Sequence, residues 1–398
     1  MKRIISAILA AAMAVTMLVI PANAAKSTVK VWNGKVSTSW YTGDKTEYNI
    51  SSPGQLAGLA ELVNSGESMQ GVVINLTADL KMNNTKNWKD WYTNPPKNKF
   101  TPIGQSGNPV KGYYPFAGIF NGNGHSISGL YVNNYRLAGL FGLIYCGCVS
   151  NLIIKESVII GYDDGETELV NDGVYAGAIV GISDGGVINK CENDGYVYAV
   201  GPADIFSGDR TAYAGGIAGS LETEVATQAA IAGAFAAFGT FYNAAIFTDG
   251  NGGLIKDSCV ANCVNYGRVV SKCANSAYSG GMVGWGNNGI IKNCLSLIVP
   301  SAKGGYNSNS HSAMIAGGLY NCDMVNCYHW QGDKKLKAVA TDVKSSVVKV
   351  KREAYYCKED EIKSKELVKR LGSAFKYAKN DRPYLTCDLR IANNTKHQ

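Results

Sequence analysis

Residues 137–154, LAGLFGLIYCGCVSNLII, and residues 175–192, YAGAIVGISDGGVINKCE, follow one pattern. A small residue and a glycine open it, and an apolar pair closed by glycine follows. After a short turn, a β-branched run leads to Asn or Cys. The pattern returns as YAGGIAGSLE at 213–222, YSGGMVGWGNNGIIKNCL at 278–295 and SAMIAGGLYNCDMVNCYH at 312–329. Gly139, Gly177 and Gly215 stand 38 residues apart, and the step from Gly215 to Gly280 is 65, which is 38 with an insertion of 27. Short strands at a fixed interval, punctuated by glycine, predict coils that cannot bury an inner face alone and must stack. Inward positions should then form columns: Ile179, Ile217 and Met282 in one, and Cys191, Cys294 and Cys327 in another. Cysteine serves there as a small apolar residue. Each fully buried aliphatic side chain stabilises by roughly 1.5–3 kcal/mol.

Upstream, PFAGIFNGNGHSISGLYV at 115–132 sets Asn121-Gly122-Asn123-Gly124-His125 between two apolar runs. A phosphate cradle needs a glycine fingerprint that opens a helix. Here a β-type run follows, and Asn and Gly are the residues that tolerate left-handed backbone. The segment therefore reads as a sharp corner between strands, and no acid, Ser or Cys is placed to make a dyad with His125.

These features together resemble the GLUG-motif proteins, repetitive right-handed parallel β-helix proteins exported by bacteria. GLFG at 139–142 is the motif almost literally. YNISSPGQLAGLAELVNSG, VVINLTADLKMN, FTPIGQ and PFAGIFNGNGHSISGL resemble the opening of such domains, and LGSAFKYAKNDRPYLTC resembles their closing segment. The resemblance spans roughly residues 30–387. It implies an all-β fold, a single right-handed parallel β-helix or solenoid, and a secreted or cell-surface, adhesin-like role. It supplies no catalytic residues.

Composition agrees with an all-β chain of many turns: 398 residues, 46% hydrophobic, 17% charged, 46 Gly and 23 Tyr. Lys2 and Arg3, the apolar run from Ile4 to Ile20 and the small residues of Pro21-Ala22-Asn23-Ala24 predict a signal peptide over 1–24. Cleavage is expected between Ala24 and Ala25, leaving one domain over 25–398. Export permits disulfides among the eleven cysteines without requiring them. Their spacings (Cys146-x-Cys148, Cys259-x3-Cys263, Cys322-x4-Cys327) do not make a zinc pattern.

The ends of a solenoid must be capped. Residues 51–66 predict a capping helix, with Ser51 or Ser52 at its start, Pro53 in its first turn and Gly66 at its stop. Leu56, Leu59, Ala60 and Val63 share its apolar face. The insertion, 221–251, includes Val225 to Phe247, 23 residues without a charge. A membrane span there would part repeats that have to stack, so an apolar hairpin against the flank is expected instead. Residues 331–398 carry 17 Lys+Arg against 9 Asp+Glu. They read as a basic end segment with exposed strands, then a helix through KEDEIKSKELVKRLG closed by Gly372.

For chemistry, Asp163, Asp164, Glu166 and Glu168 are the nearest approach to a calcium site, and with Asp249 they fit no EF-type loop. They read as a solvated turn, and no cofactor is implied. His125 and His311 fall in turns or loops, His397 near the C-terminus, and His329 at the end of a coil. Trp88, Trp91 and Tyr92, in a Pro- and Asn-rich loop, are the candidate ligand-contact aromatics, with ordinary packing as the alternative. The expectation is a secreted or surface-associated, non-catalytic protein that binds a glycan or a surface protein along its flank. Two alternatives stand beside it: a β-helix enzyme acting on polysaccharide, and a structural stalk. Nucleic acid is not an expected partner, and no span is expected in the mature chain.

Overall fold

In the computed structural model of the chain, residues 29–106, 113–165, 173–203, 210–223, 258–305, 309–330, 336–343 and 350–388 are described. The chain divides into Met1–Lys30 and the compact body Val31–Gln398. The signal-peptide cleavage site, the insertion beyond Thr223, Glu166, Glu168, Asp249 and His397 lie outside the described residues.

The glycine-bracketed repeats pair in the expected register. Tyr175, Tyr213, Tyr278 and His311 are successive partners in a five-stranded parallel sheet, and Gly177, Gly215, Gly280 and Ala313 are the partners two places on. This sheet consists of Leu137–Ala138, Val174–Gly177, Thr211–Gly215, Ser276–Gly280 and Ser310–Ala313. A six-stranded parallel sheet comprises Phe141–Tyr145, Val180–Asp184, Ala218–Glu222, Val283–Asn287, Ala316–Tyr320 and Val339–Val343. The glycines are required by how closely backbones pass. A Cβ on Gly215 would stand 1.9 Å from the Ala218 carbonyl oxygen.

The third sheet corrects the expected architecture. It has sixteen strands, and six of them close a parallel barrel in their pairing, with ten more attached. The circuit runs Val187–Val200, Ser258–Ala261, Gly289–Lys292, Asp323–Trp330, Leu295–Ser296, Val264–Asn265 and back to Val187–Val200. The fold is thus all-β with several parallel sheets, not a single right-handed β-helix. The cause is that some strands do not stop at corners. Cys148–Tyr162 and Val187–Val200 run on for 15 and 14 residues, each pairing with several shorter strands. They turn at left-handed residues inside the strand (Asn151 at φ 54°, Glu156 at 48°, Lys190 at 52°) and go on pairing beyond them. Two antiparallel pairs, Gln105–Ser106 with Tyr113–Tyr114 and Phe375–Lys376 with Tyr384–Leu385, add to the departure.

The interior is columnar. Ile179, Ile217, Met282 and Ile315 are wholly buried, and each N–H donates to the carbonyl of the next at 2.8–3.0 Å. The cysteine column holds Cys191, Cys263, Cys294 and Cys327, all with no exposure, so Cys263 joins the three expected members. The eleven cysteines are free thiols. Outside this core runs a row of amides. Asn262 donates through Nδ2 to Asn189 Oδ1 at 2.8 Å, Asn293 to Asn262 at 3.2 Å and Asn326 to Asn293 at 2.9 Å. Asn262, Asn293 and Asn326 have φ of 51–53°, the region Asn enters at least cost among side-chain-bearing residues.

The corner at 121–125 is built the same way. Asn123 (φ 50°) and Gly124 (φ 79°) turn the chain. Asn121 accepts from the Asn123 N–H at 3.1 Å and donates to Asn75 at 3.3 Å.

At one end, the helix Pro53–Asn64 begins with a reciprocal capping box between Ser52 and Gln55. It buries Leu56, Leu59, Ala60 and Val63 in the main core. At the other end, the single helix expected through 358–372 is two, Glu359–Ile362 and Lys365–Leu371, because Ser364 caps a new start by accepting from the Leu367 N–H. Gly372 (φ 96°) closes the second. Among the described residues, no helix is long and apolar enough to cross a membrane.

Candidate functional site

The loop 83–98 leaves the strand Leu80–Lys81 and is clamped at both ends by amides. Asn83 donates to the Asn98 carbonyl at 2.8 Å and to the Gly129 carbonyl at 3.0 Å, and its Oδ1 accepts from the Asn98 N–H at 3.0 Å. Asn98 donates in turn to the carbonyls of Trp32 at 2.7 Å and Met82 at 3.0 Å. Five bonds from buried Asn83 and half-buried Asn98 therefore fix the loop to the sheet and bring Trp32 beside it. A short 3₁₀ turn, Trp88–Asp90, fills the middle of the loop.

One side of the loop borders a cleft of about 620 Å³. Its walls carry Trp32, Trp91, Pro95 and Pro96, with the exposed amides of Asn84, Asn87 and Asn94 and the charged Lys86, Lys97 and Asp90. Lys86, Lys97 and Asp90 make no ion pair among the described residues. The size is within the 300–1,000 Å³ of small-molecule sites, and apolar walls with a few convergent polar groups are their usual chemistry.

The other side lies on the outward face of the large sheet. Trp91 is 4% exposed and meets Tyr131 edge-on at 6.2 Å. Trp88, half-buried, is 4.6 Å from the Tyr196 ring, and Tyr92, 39% exposed, is 4.6 Å from the Tyr198 ring. The three sequence candidates are thus brought together. Trp91 shares both sides of the loop, while Trp88 and Tyr92 are engaged with tyrosines of the sheet. Beyond them Arg268 stands 5.9 Å from both the Tyr196 and Tyr198 rings, and Lys272 lies 5.7 Å from the Tyr92 ring. Sequence reasoning missed Asn87 and Asn94 in this role. The signal was there in the run of asparagines around Trp91, but Asn is equally common in turns.

Elsewhere, titratable groups mostly hold coils together. Asp79 accepts from the Ser126 N–H at 2.7 Å and hydroxyl at 3.1 Å, and faces His125 Nδ1 at 3.5 Å. Burial pushes its carboxyl up, but the bonds from His125 and Ser126 and the charge of Lys155 outweigh it and hold the group at about 2. Asp163, expected in a solvated turn, is instead buried and paired to Arg136 Nε at 3.0 Å and Arg210 at 2.6 Å. His311, expected in a turn or loop, is in a strand. It stacks on Tyr278 at 4.3 Å and shares a 2.8 Å hydrogen bond with Thr341, and burial pushes its pKa down. His329 is buried inside Asp323–Trp330. Among the described residues, no group of three His, Cys, Asp or Glu is placed to hold a metal ion.

No protein-family model matches the chain, and no curated protein does. Among solved structures, it is similar to a crystal structure of "a putative immunoglobulin A1 protease from Bacteroides ovatus". The two are 14% identical with a TM-score of 0.45, over 86% of this chain and 92% of the other.

Proposed function

We propose that the chain is an exported, non-catalytic glycan-binding protein, in keeping with the resemblance of its repeats to GLUG-motif proteins, and that the cleft beside loop 83–98 receives the sugar. The observation that carries this reading is the lining itself. Half-buried Trp32, beside Pro95 and Pro96, offers an apolar ring to the carbon face of a sugar, while Asn84, Asn87 and Asn94 offer amides that both donate and accept to hydroxyls. The loop is clamped before any ligand arrives, so little ordering cost is left for binding. The test is titration calorimetry of the mature chain with oligosaccharides chosen from a glycan array. Substituting Asn87→Ala with Asn94→Ala should weaken binding at least tenfold. Unchanged affinity in that variant, or no binding across the array, contradicts the proposal.

A second reading, an enzyme acting on polysaccharide, draws on one pair of acids. Asp184 and Glu222 are direct partners on neighbouring parallel strands, and Glu222 also accepts from the Ser220 hydroxyl at 2.5 Å. Two neighbouring carboxylates are the residue types that glycosidases use. Release of reducing ends that disappears in Glu222→Gln would favour this reading over the first.

A further inference from the structure

On the outward face beyond loop 83–98, three cations from two parts of the sequence fall on or beside neighbouring strands. Val200, Lys272 and Lys303 are successive strand partners, and Arg268 precedes the same strand as Lys272, its carbonyl accepting from the Val197 N–H at 2.8 Å. Arg268, Lys272 and Lys303 are exposed. None makes an ion pair with a described acid. Lys272 and Lys303 sit directly opposite each other about 4.8 Å apart in backbone spacing, an arrangement that costs stability when nothing neutralises it. Where the cations end, the aromatic ridge of Tyr92, Tyr196 and Tyr198 begins, with Arg268 and Lys272 already over its rings.

We infer that this stripe is a second binding surface, separate from the cleft, and that it takes an acidic polysaccharide lying across the strands. Like charges on neighbouring strands, unpaired with any described acid, complement a polymer that repeats its carboxylates. Exposed Tyr92 and half-buried Tyr196 give sugar rings an apolar margin that a bare polyanion would not use. Charge attraction on an exposed face is screened by salt, with a Debye length of about 10 Å at 0.1 M falling to about 3 Å at 1 M. Binding here is therefore salt-dependent in a way that hydrogen bonding in the cleft is not.

The probe is polygalacturonate on a biosensor surface, with uncharged dextran and double-stranded DNA as comparison surfaces and the full mature chain as analyte. Wild type is expected to bind polygalacturonate at 50 mM salt, to lose at least tenfold in affinity by 500 mM, and to prefer it over both other polymers. Arg268→Gln with Lys272→Gln and Lys303→Gln should weaken binding at least tenfold, with the circular dichroism spectrum and the cleft's oligosaccharide affinity unchanged. Lys272→Gln alone should weaken it about threefold, which keeps the test decisive if the triple variant misfolds. Absent binding at low salt, insensitivity to salt or to these substitutions, equal binding to dextran, or equal binding to DNA each overturns the inference.

Discussion

Replacing Asn293 by alanine tests how the corners are held. Asn293 adopts φ 51°, donates to Asn262 at 3.2 Å and accepts from Asn326 at 2.9 Å. Alanine keeps the backbone strained and removes both bonds. Left-handed backbone costs an ordinary residue roughly 1–2 kcal/mol, and each amide bond contributes about 0.5–1.5 kcal/mol net. Part of the first cost already falls on asparagine, so Asn293→Ala should lose about 3 kcal/mol. Asn293→Gly, which relieves the backbone but also breaks the row, should lose about 2 kcal/mol, part of it through the greater freedom of the unfolded chain. The same coil position in an earlier repeat holds Lys190 at φ 52°. There Lys190→Asn should stabilise by about 1 kcal/mol. Urea denaturation of the three variants beside wild type, with m-values compared to check that the transition is unchanged, reads all of these. A loss below about 0.5 kcal/mol in Asn293→Ala, or a destabilised Lys190→Asn, would refute the reasoning.

Gly215→Ala should prevent folding or cost more than about 3 kcal/mol, because its Cβ would meet backbone at 1.9 Å and 2.7 Å; a soluble variant with an unchanged melting temperature would contradict the close approach. Asp79, held near 2 when folded and at 3.8 when free, contributes stability above about pH 4 that is lost as pH falls towards 2. Since its side chain is 46% exposed, screening reduces the effect to about 1 kcal/mol, and Asp79→Asn should flatten the acid limb of a stability–pH curve. Burial pushes the thiols of Cys263, Cys294 and Cys327 well above their ordinary value and Cys148 up to about 12. Alkylation at neutral pH, followed by peptide mass spectrometry, should therefore leave all four unmodified in the native chain and modify them in denaturant.

The repeats were legible because stacking forces like residues onto like. The Gly177, Gly215 and Gly280 register, the Ile179 column and most of the cysteine column follow from spacing alone. The barrel-forming pairing was not legible. Whether a β-branched run stops at a corner or kinks through it depends on single residues such as Lys190, whose type gives no hint of left-handed backbone. The helix break at Ser364 was missed because the charge pattern stays helical on both sides of it. Buried Asp163 looked solvated because its arginine partners lie 27 and 47 residues away. At the candidate sites, Trp88, Trp91 and Tyr92 stood out as aromatics in a polar loop. Trp32 reaches the same cleft only through the Asn98 clamp, and Lys272 meets Lys303 only through strand pairing.

The most direct test of the account is a crystal structure of the full mature chain with an oligosaccharide that it binds. Density for a sugar ring in the cleft, with Trp32 and Trp91 beside it and the amides of Asn87 and Asn94 on its hydroxyls, is the predicted result. A sugar bound elsewhere while that cleft stays empty, or loop 83–98 detached from the Asn83–Asn98 clamp, would contradict it.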